Sequence, residues 1–290
     1  MADCKVENFE TMKKLIINAD DFGMNDEVVQ ATCELYELGL VSSTSCLTNK
    51  PAWPRAAEYL RQNPDFGAGV HLVFNDGYPV LPHQQVPALL RLDGQFLSDR
   101  QIRWGCKPGT TSQLRSELRA QIERFMLDVG NHPDHLDNHC SISYVRPGRF
   151  KVTLDLALEY NLPIRSPFGD DFEQLVPLFS KSNKLPAWMI FWMGKWYRRR
   201  VDRAGIPRPH TFFQHFSLTG NRNPDYLLWI LDNLQDGWTS ELLVHPGYDG
   251  GWREEKLQAL LDPRFRKRLA EPDIELVNFT SVTTKSSTSY

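Results

Sequence analysis

Long hydrophobic runs are missing from this sequence, and so is any excess of positive charge. No apolar stretch approaches the ~20 residues of a membrane-spanning helix, so a transmembrane protein is not expected. The net charge is −3, which supplies no basic field, and nucleic acid is not an expected partner. Cysteine is scarce: Cys4, Cys33, Cys46, Cys106 and Cys140 are odd in number and form no C-x-x-C pair. That gives no disulfide framework and points to a reduced, cytoplasmic protein. Residues 1–14 lack an apolar core, so no signal peptide is expected. There is no internal repeat and no low-complexity linker. Only Thr283–Tyr290 is rich in Ser and Thr, and it reads as a flexible tail behind a single domain over residues 1–282.

What is present is an alternation of short apolar runs and amphipathic segments. Leu15–Ile17 is β-prone and stops at Asn18-Ala19-Asp20-Asp21-Phe22-Gly23. A helix is expected from about Asn25, an apt N-cap, with Val28, Ala31, Leu35 and Leu38 on one face and Gly39 ending it. Val41–Leu47 and Phe66–Val73 read as strands, Arg55–Arg61 and Leu114–Val129 as helices. His135–His139 reads as a short strand, Val152–Tyr160 as a helix, Leu162–Arg165 as a strand. Tyr226–Leu234 is helical, and Glu241–Val244 is a strand running into His245-Pro246-Gly247. Strand-then-helix alternation implies an α/β fold with a mostly parallel sheet, open or closed into a barrel.

The polar residues gather at the C-terminal ends of these strand-like runs, where α/β folds collect their active sites. Adjacent carboxylates at Asp20 and Asp21 repel each other unless a cation or donor joins them; taken alone they also suit a turn or an N-cap. His71, in Gly69-Val70-His71-Leu72, equally suits a hydrogen-bonded core position. In His135-Leu136-Asp137-Asn138-His139, strand alternation places His135, Asp137 and His139 on one face, which suits metal ligation or its supporting shell. His245 at a strand end can serve as general acid or base, its pKa being close to neutral. Trp188, Trp192 and Trp196, within Pro186–Arg203, share one helical face ahead of a basic cluster. That stripe suits a packed or dimer-forming helix, or a wall or lid over an apolar or lipid-linked substrate.

These motifs together resemble the YdjC-like carbohydrate deacetylases. The matching stretches are Leu15–Gly23 (LIINADDFG), Gly69–Leu72 (GVHL), Glu117–Ile122 (ELRAQI), His135–His139 (HLDNH), Pro163–Arg165 (PIR) and Glu241–Tyr248 (ELLVHPGY). The resemblance implies a single-domain, distorted TIM-like barrel with one divalent metal ion, magnesium or zinc, at its mouth. It implies Asp21, His71 and His139 as the metal ligands and Asp20 as the catalytic base. His245 would be the protonated acid for the leaving amine, with Arg165 holding the Asp20 carboxylate through a two-pronged contact. The implied reaction is hydrolytic release of acetate from an N-acetylated sugar or oligosaccharide, with a lipid-linked sugar and a homodimer left open. Many relatives have two more histidines where Ser141 and Ser143 stand here. A glycan-binding pseudoenzyme of the same fold, or another metal-dependent hydrolase, is the alternative reading.

Overall fold

The structure, a computed structural model, describes residues 12–104, 109–167 and 187–282. Its strands are β1 (Lys13–Phe22), β2 (Ser43–Cys46), β3 (Gly67–Leu72), β4 (Leu136–Asn138), β5 (Thr211–Phe213), β6 (Thr239–Val244) and β7 (Ile274–Leu276). The helices are α1 (Asp26–Glu37), α2 (Trp53–Gln62), α3 (Asp99–Trp104), α4 (Thr110–Val129), α5 (Pro147–Tyr160), α6 (Ala187–Arg203), α7 (Pro224–Asp232), α8 (Trp252–Leu261) and α9 (Pro263–Leu269). The strands are parallel and run in the order β4-β3-β2-β1-β6-β5, with β7 beside the first residues of β1.

The two ends of this sheet curl toward each other. Beyond β4, Leu136 forms a single parallel bridge with Ile164. The Ile164 N–H then donates to the Pro207 carbonyl at 3.0 Å, just before β5. No continuous ladder closes the gap, so the fold is a distorted TIM-like barrel, with one core that runs from Leu15 to Ile274. Among the described residues, no helix is long and apolar enough to cross a membrane.

Several sequence expectations change in detail. The first strand continues past Ile17 to Phe22, because Asn18, Asp20 and Asp21 are buried inside the curled sheet and find partners there. The strand expected over 162–165 shrinks to the Ile164 bridge. The one expected over 135–139 keeps only β4, and His139 opens a 3-10 turn, His139–Val145. The short β5 and β7 carry no period to detect. Helix α1 starts as expected: the Asn25 side chain accepts from the Val28 N–H at 2.9 Å. Val28, Ala31 and Leu35 are buried on its inner face, whereas Leu38 is 48% exposed. In α6, Tyr197 and Val201 face the core, and the Trp188, Trp192 and Trp196 stripe faces outward at 65, 54 and 40% exposure. The tail at 283–290 and Pro186 lie outside the described residues, as do Cys4 and Cys106.

Gly69 on β3 explains one motif position. A Cβ there would sit 2.4 Å from the His135 imidazole. That ring cannot retreat: it stacks on Phe279 at 3.8 Å between centroids and is held by Ser45 and Asp134 at its two nitrogens. Overpacking of this kind costs about 1–3 kcal/mol. Gly69→Ala should therefore lower the unfolding free energy by an amount in that range, read as a lower urea midpoint at unchanged m-value; a midpoint equal to wild type would show that the ring gives way freely.

Candidate active site

The site is built on the C-terminal end of β1. Its ladder with β2 shifts register between Ala19 and Phe22, and Asp21 takes φ 70, a left-handed conformation that Asp tolerates better than most residues. The kink sends two neighbouring carboxylates to different partners. Asp20 receives both Arg165 terminal nitrogens, Nη1 to Oδ2 at 2.8 Å and Nη2 to Oδ1 at 2.6 Å, and the Asn18 amide at 2.8 Å. Asp21 Oδ2 accepts from Arg253 Nη2 at 2.6 Å.

Arg165 is the hub beneath them. Besides Asp20 it pairs with Asp137 Oδ2 at 2.7 Å and, through Nε, with Glu241 Oε1 at 2.7 Å. All four side chains are buried. Burial pushes the Glu241 carboxyl up to about 7, even against the pull of Arg165. For Asp137, burial is outweighed by Arg165 and His71, which hold its carboxyl below the usual carboxylate range.

Asp137 also orients His71. Its Oδ1 lies 2.6 Å from His71 Nδ1, and its Oδ2 accepts from the Ser45 hydroxyl at 2.9 Å. With the Nδ1–H donated to Asp137, the His71 Nε2 lone pair faces Asp21 Oδ1 at 3.7 Å and Asp20 Oδ2 at 3.6 Å. His139 Nδ1 approaches the same Asp21 Oδ1, at 3.2 Å. His135, Asp137 and His139 do share the inner face, but at different depths: His135 sits below, on Asp134 and Ser45, away from both aspartates of β1.

The buried Asp21 Oδ1 thus has two imidazole nitrogens converging on it and no partner at hydrogen-bond geometry. Burial raises the Asp21 carboxyl, but the His139, His245 and His71 imidazoles pull it well below the usual range. Reciprocally, and against burial, Asp21 and Cys140 raise His139 to about 10. An orphaned anionic oxygen beside two imidazoles, ligand atoms all within 4.8 Å of one another, is a donor set that fits a divalent cation. A second set, Asp20, His71 and Asp137, meets the same distance test. Both carboxylates of that set are held by Arg165, whereas Arg253 takes only Oδ2 of Asp21 and leaves Oδ1 to the two imidazoles.

His245 follows β6. Its Nε2 lies 3.9 Å from Asp20 Oδ2, and its Nδ1 lies 3.1 Å from Lys256 Nζ and 3.4 Å from Ser217 Oγ. Burial, then the Lys256 charge, push its pKa well below the ordinary histidine value. Both effects favour the neutral imidazole, whereas the reading from the sequence gave His245 as a protonated acid. Asn18, Ser45, Glu241, Arg253 and Lys256 escaped the sequence reading. Of these, Glu241 alone carried a signal, a carboxylate in an otherwise apolar buried strand. Ser143 is buried with no hydrogen-bond partner for its hydroxyl among the described residues, and the Ser141 side chain lies outside them.

Fold and site define an α/β-barrel protein with a buried carboxylate–histidine centre at the C-terminal edge of its strands. The chain belongs to the YdjC-like protein family, whose sequence profile matches residues 14–271. It is 29% identical over 274 residues to a carbohydrate deacetylase of Geobacillus stearothermophilus, covering 91% of this chain and 96% of that one. It is 36% identical over 157 residues to a carbohydrate deacetylase of Enterococcus faecalis, covering 53% of this chain and 58% of the other. A crystal structure from Enterococcus faecalis, described as a candidate cellobiose-phosphate cleavage protein, superposes with a TM-score of 0.76 at 26% identity. That match covers 93% of this chain and 98% of the other.

Proposed function

We propose that this protein is a metal-dependent deacetylase that hydrolyses the acetamido group of N-acetylated amino sugars, releasing acetate. The observation that carries this reading is the convergence of His71 and His139 on the orphaned Asp21 oxygen, flanked by Asp20 and His245. Carbohydrate deacetylases among its relatives point the same way.

Asp21, His71 and His139 would hold the divalent ion, magnesium or zinc, with Arg253 fixing the second Asp21 oxygen. Such an ion, when bound, supplies a Lewis acid for the acetyl carbonyl and lowers the pKa of water. The rest is done by side chains. Asp20, held by Arg165 in one orientation, accepts the proton of the attacking water. His71 stays in one tautomer because Asp137 takes its Nδ1–H. His245 presents Nε2 beside Asp20 and would give the departing amine its proton. Water attack and amine departure thus have separate proton carriers.

Acetate release from N-acetylglucosamine oligomers, measured with and without chelator, tests the reading. We expect turnover that chelator abolishes and a divalent ion restores. His71→Ala and His139→Ala should lose bound metal by elemental analysis; full occupancy in both would refute the ligand assignment. The description of the Enterococcus faecalis structure favours a second reading, cleavage of a phosphorylated disaccharide. Disaccharide cleavage of cellobiose phosphate without acetate release from any acetylated sugar would decide for it.

A further inference from the structure

Lys256 is a buried charge that the deacetylation scheme leaves unused. It lies on α8, one turn after Trp252, and its residue is wholly inaccessible to solvent. A lysine so placed must have a reason to stay, since burying an ammonium without partners is costly. Its partners are few and specific. Nζ lies 3.1 Å from His245 Nδ1 and 3.3 Å from Ser217 Oγ, and over the Trp252 ring at 4.4 Å. Arg222 and Arg253 face it as like charges; Asp20 and Asp21 face it as opposite ones. Among the described residues, its hydrogen-bond partners are the Ser217 hydroxyl and the titratable His245.

An ammonium next to an imidazole nitrogen can only donate to it. His245 Nδ1 therefore accepts, and its proton sits on Nε2, the nitrogen that faces Asp20. A neutral imidazole that gives up Nε2–H becomes an imidazolate unless Nδ1 gains a proton in the same step, and Lys256 is in position to supply one.

We propose that Lys256 is the proton source behind His245, transferring its proton to Nδ1 as Nε2 releases one to the departing amine. The inference rests on the deacetylase reading of His245. The step balances. An N–H bond of Lys256 breaks and one forms at Nδ1; the Nε2–H bond breaks and one forms on the amine nitrogen. Lys256 is left neutral and Asp20 protonated by the attacking water. Return of the Asp20 proton to Nε2, 3.9 Å away, and of the Nδ1 proton to Lys256 restores the site. No other proton donor is consumed. Burial, with Arg222 and Arg253, lowers the Lys256 pKa to about 7, so its proton is available near neutrality. Lys256 acts through His245 and is a positioning residue, not a catalytic one.

The test uses the full chain loaded with metal, and the variants Lys256→Met and Lys256→Gln. Gln can donate a hydrogen bond but cannot give up a proton. Both variants should lose about 10²-fold in kcat with KM within about twofold. In wild type, kcat should fall as pH rises through about 7, as Lys256 loses its proton; the Gln variant should lack this limb. Nitrogen-15 spectra of the resting protein should show His245 with its proton on Nε2. A resting proton on Nδ1, or a wild-type rate in Lys256→Gln, overturns the proposal. His245→Ala separates the two levels of argument. A full rate there removes the deacetylase role of His245 itself, whereas an inactive His245→Ala beside a normal Lys256→Gln removes Lys256 alone.

Discussion

Replacing Asp20 by Asn should reduce kcat for acetate release by about 10²–10⁴-fold, the usual contribution of a general base, while the metal stays bound. The two expectations separate because Asp20 and Asp21 do different work despite adjacency. The kink at Asp21 leaves one of its oxygens facing His71 and His139, whereas both Asp20 oxygens are engaged by Arg165. Asn keeps the size of the side chain and one acceptor oxygen but has no basic oxygen for the water proton. Elemental analysis beside steady-state kinetics checks both halves. Loss of the metal in Asp20→Asn would make Asp20 a ligand, and near-wild-type turnover would remove it from proton transfer altogether.

Arg165→Met should destabilise the fold more than any other single change in the site, by about 3–5 kcal/mol. That is the cost of removing one partner from a buried ionic cluster. The guanidinium serves Asp20, Asp137 and Glu241 at once. Met has similar bulk and fills the space over Phe212 but leaves three buried carboxylates without their cation. The pH dependence has a definite sign. Asp137 is held below its unfolded value in the native state, so its contribution is present above that unfolded value and is lost as pH falls. The deficit of Arg165→Met against wild type should accordingly be larger at pH 7 than at pH 3, below the unfolded carboxylate value, read from denaturant midpoints at both. An equal deficit at the two would mean that shape, not charge, governs this position. Arg165→Lys should also be damaging, because an ammonium cannot make the planar two-pronged contact with Asp20.

The residues at strand ends were legible in the sequence for a physical reason. A charged or imidazole side chain that closes an apolar run interrupts a pattern, as Asp20, Asp21 and His245 do, whereas His71 interrupts one from within and His139 ends the alternating His135–His139 segment. Helices α1, α2, α4, α5 and α7 were legible through their period, and α1 also through its cap, whereas α3, α8 and α9 were not read from the sequence. Arg165 was visible only through the resemblance to relatives, since an arginine after a short apolar stretch marks nothing by itself. The two minor strands and the reduced Leu162–Arg165 segment were hidden because three residues carry no period.

The sequence by itself determined that strands and helices alternate, that the chain carries no spanning helix, and that its carboxylates and imidazoles stand where α/β strands end. The tertiary structure alone decided which of them meet. Trp252-Arg253-Glu254-Glu255-Lys256 is mostly charged, yet Arg253 and Lys256 are buried, one on Asp21 and the other on His245. Nothing local distinguishes a lysine that faces water from one that faces an imidazole. That difference arises when α8 is laid against the C-terminal ends of β1 and β6, bringing residues more than 200 positions apart within 3 Å.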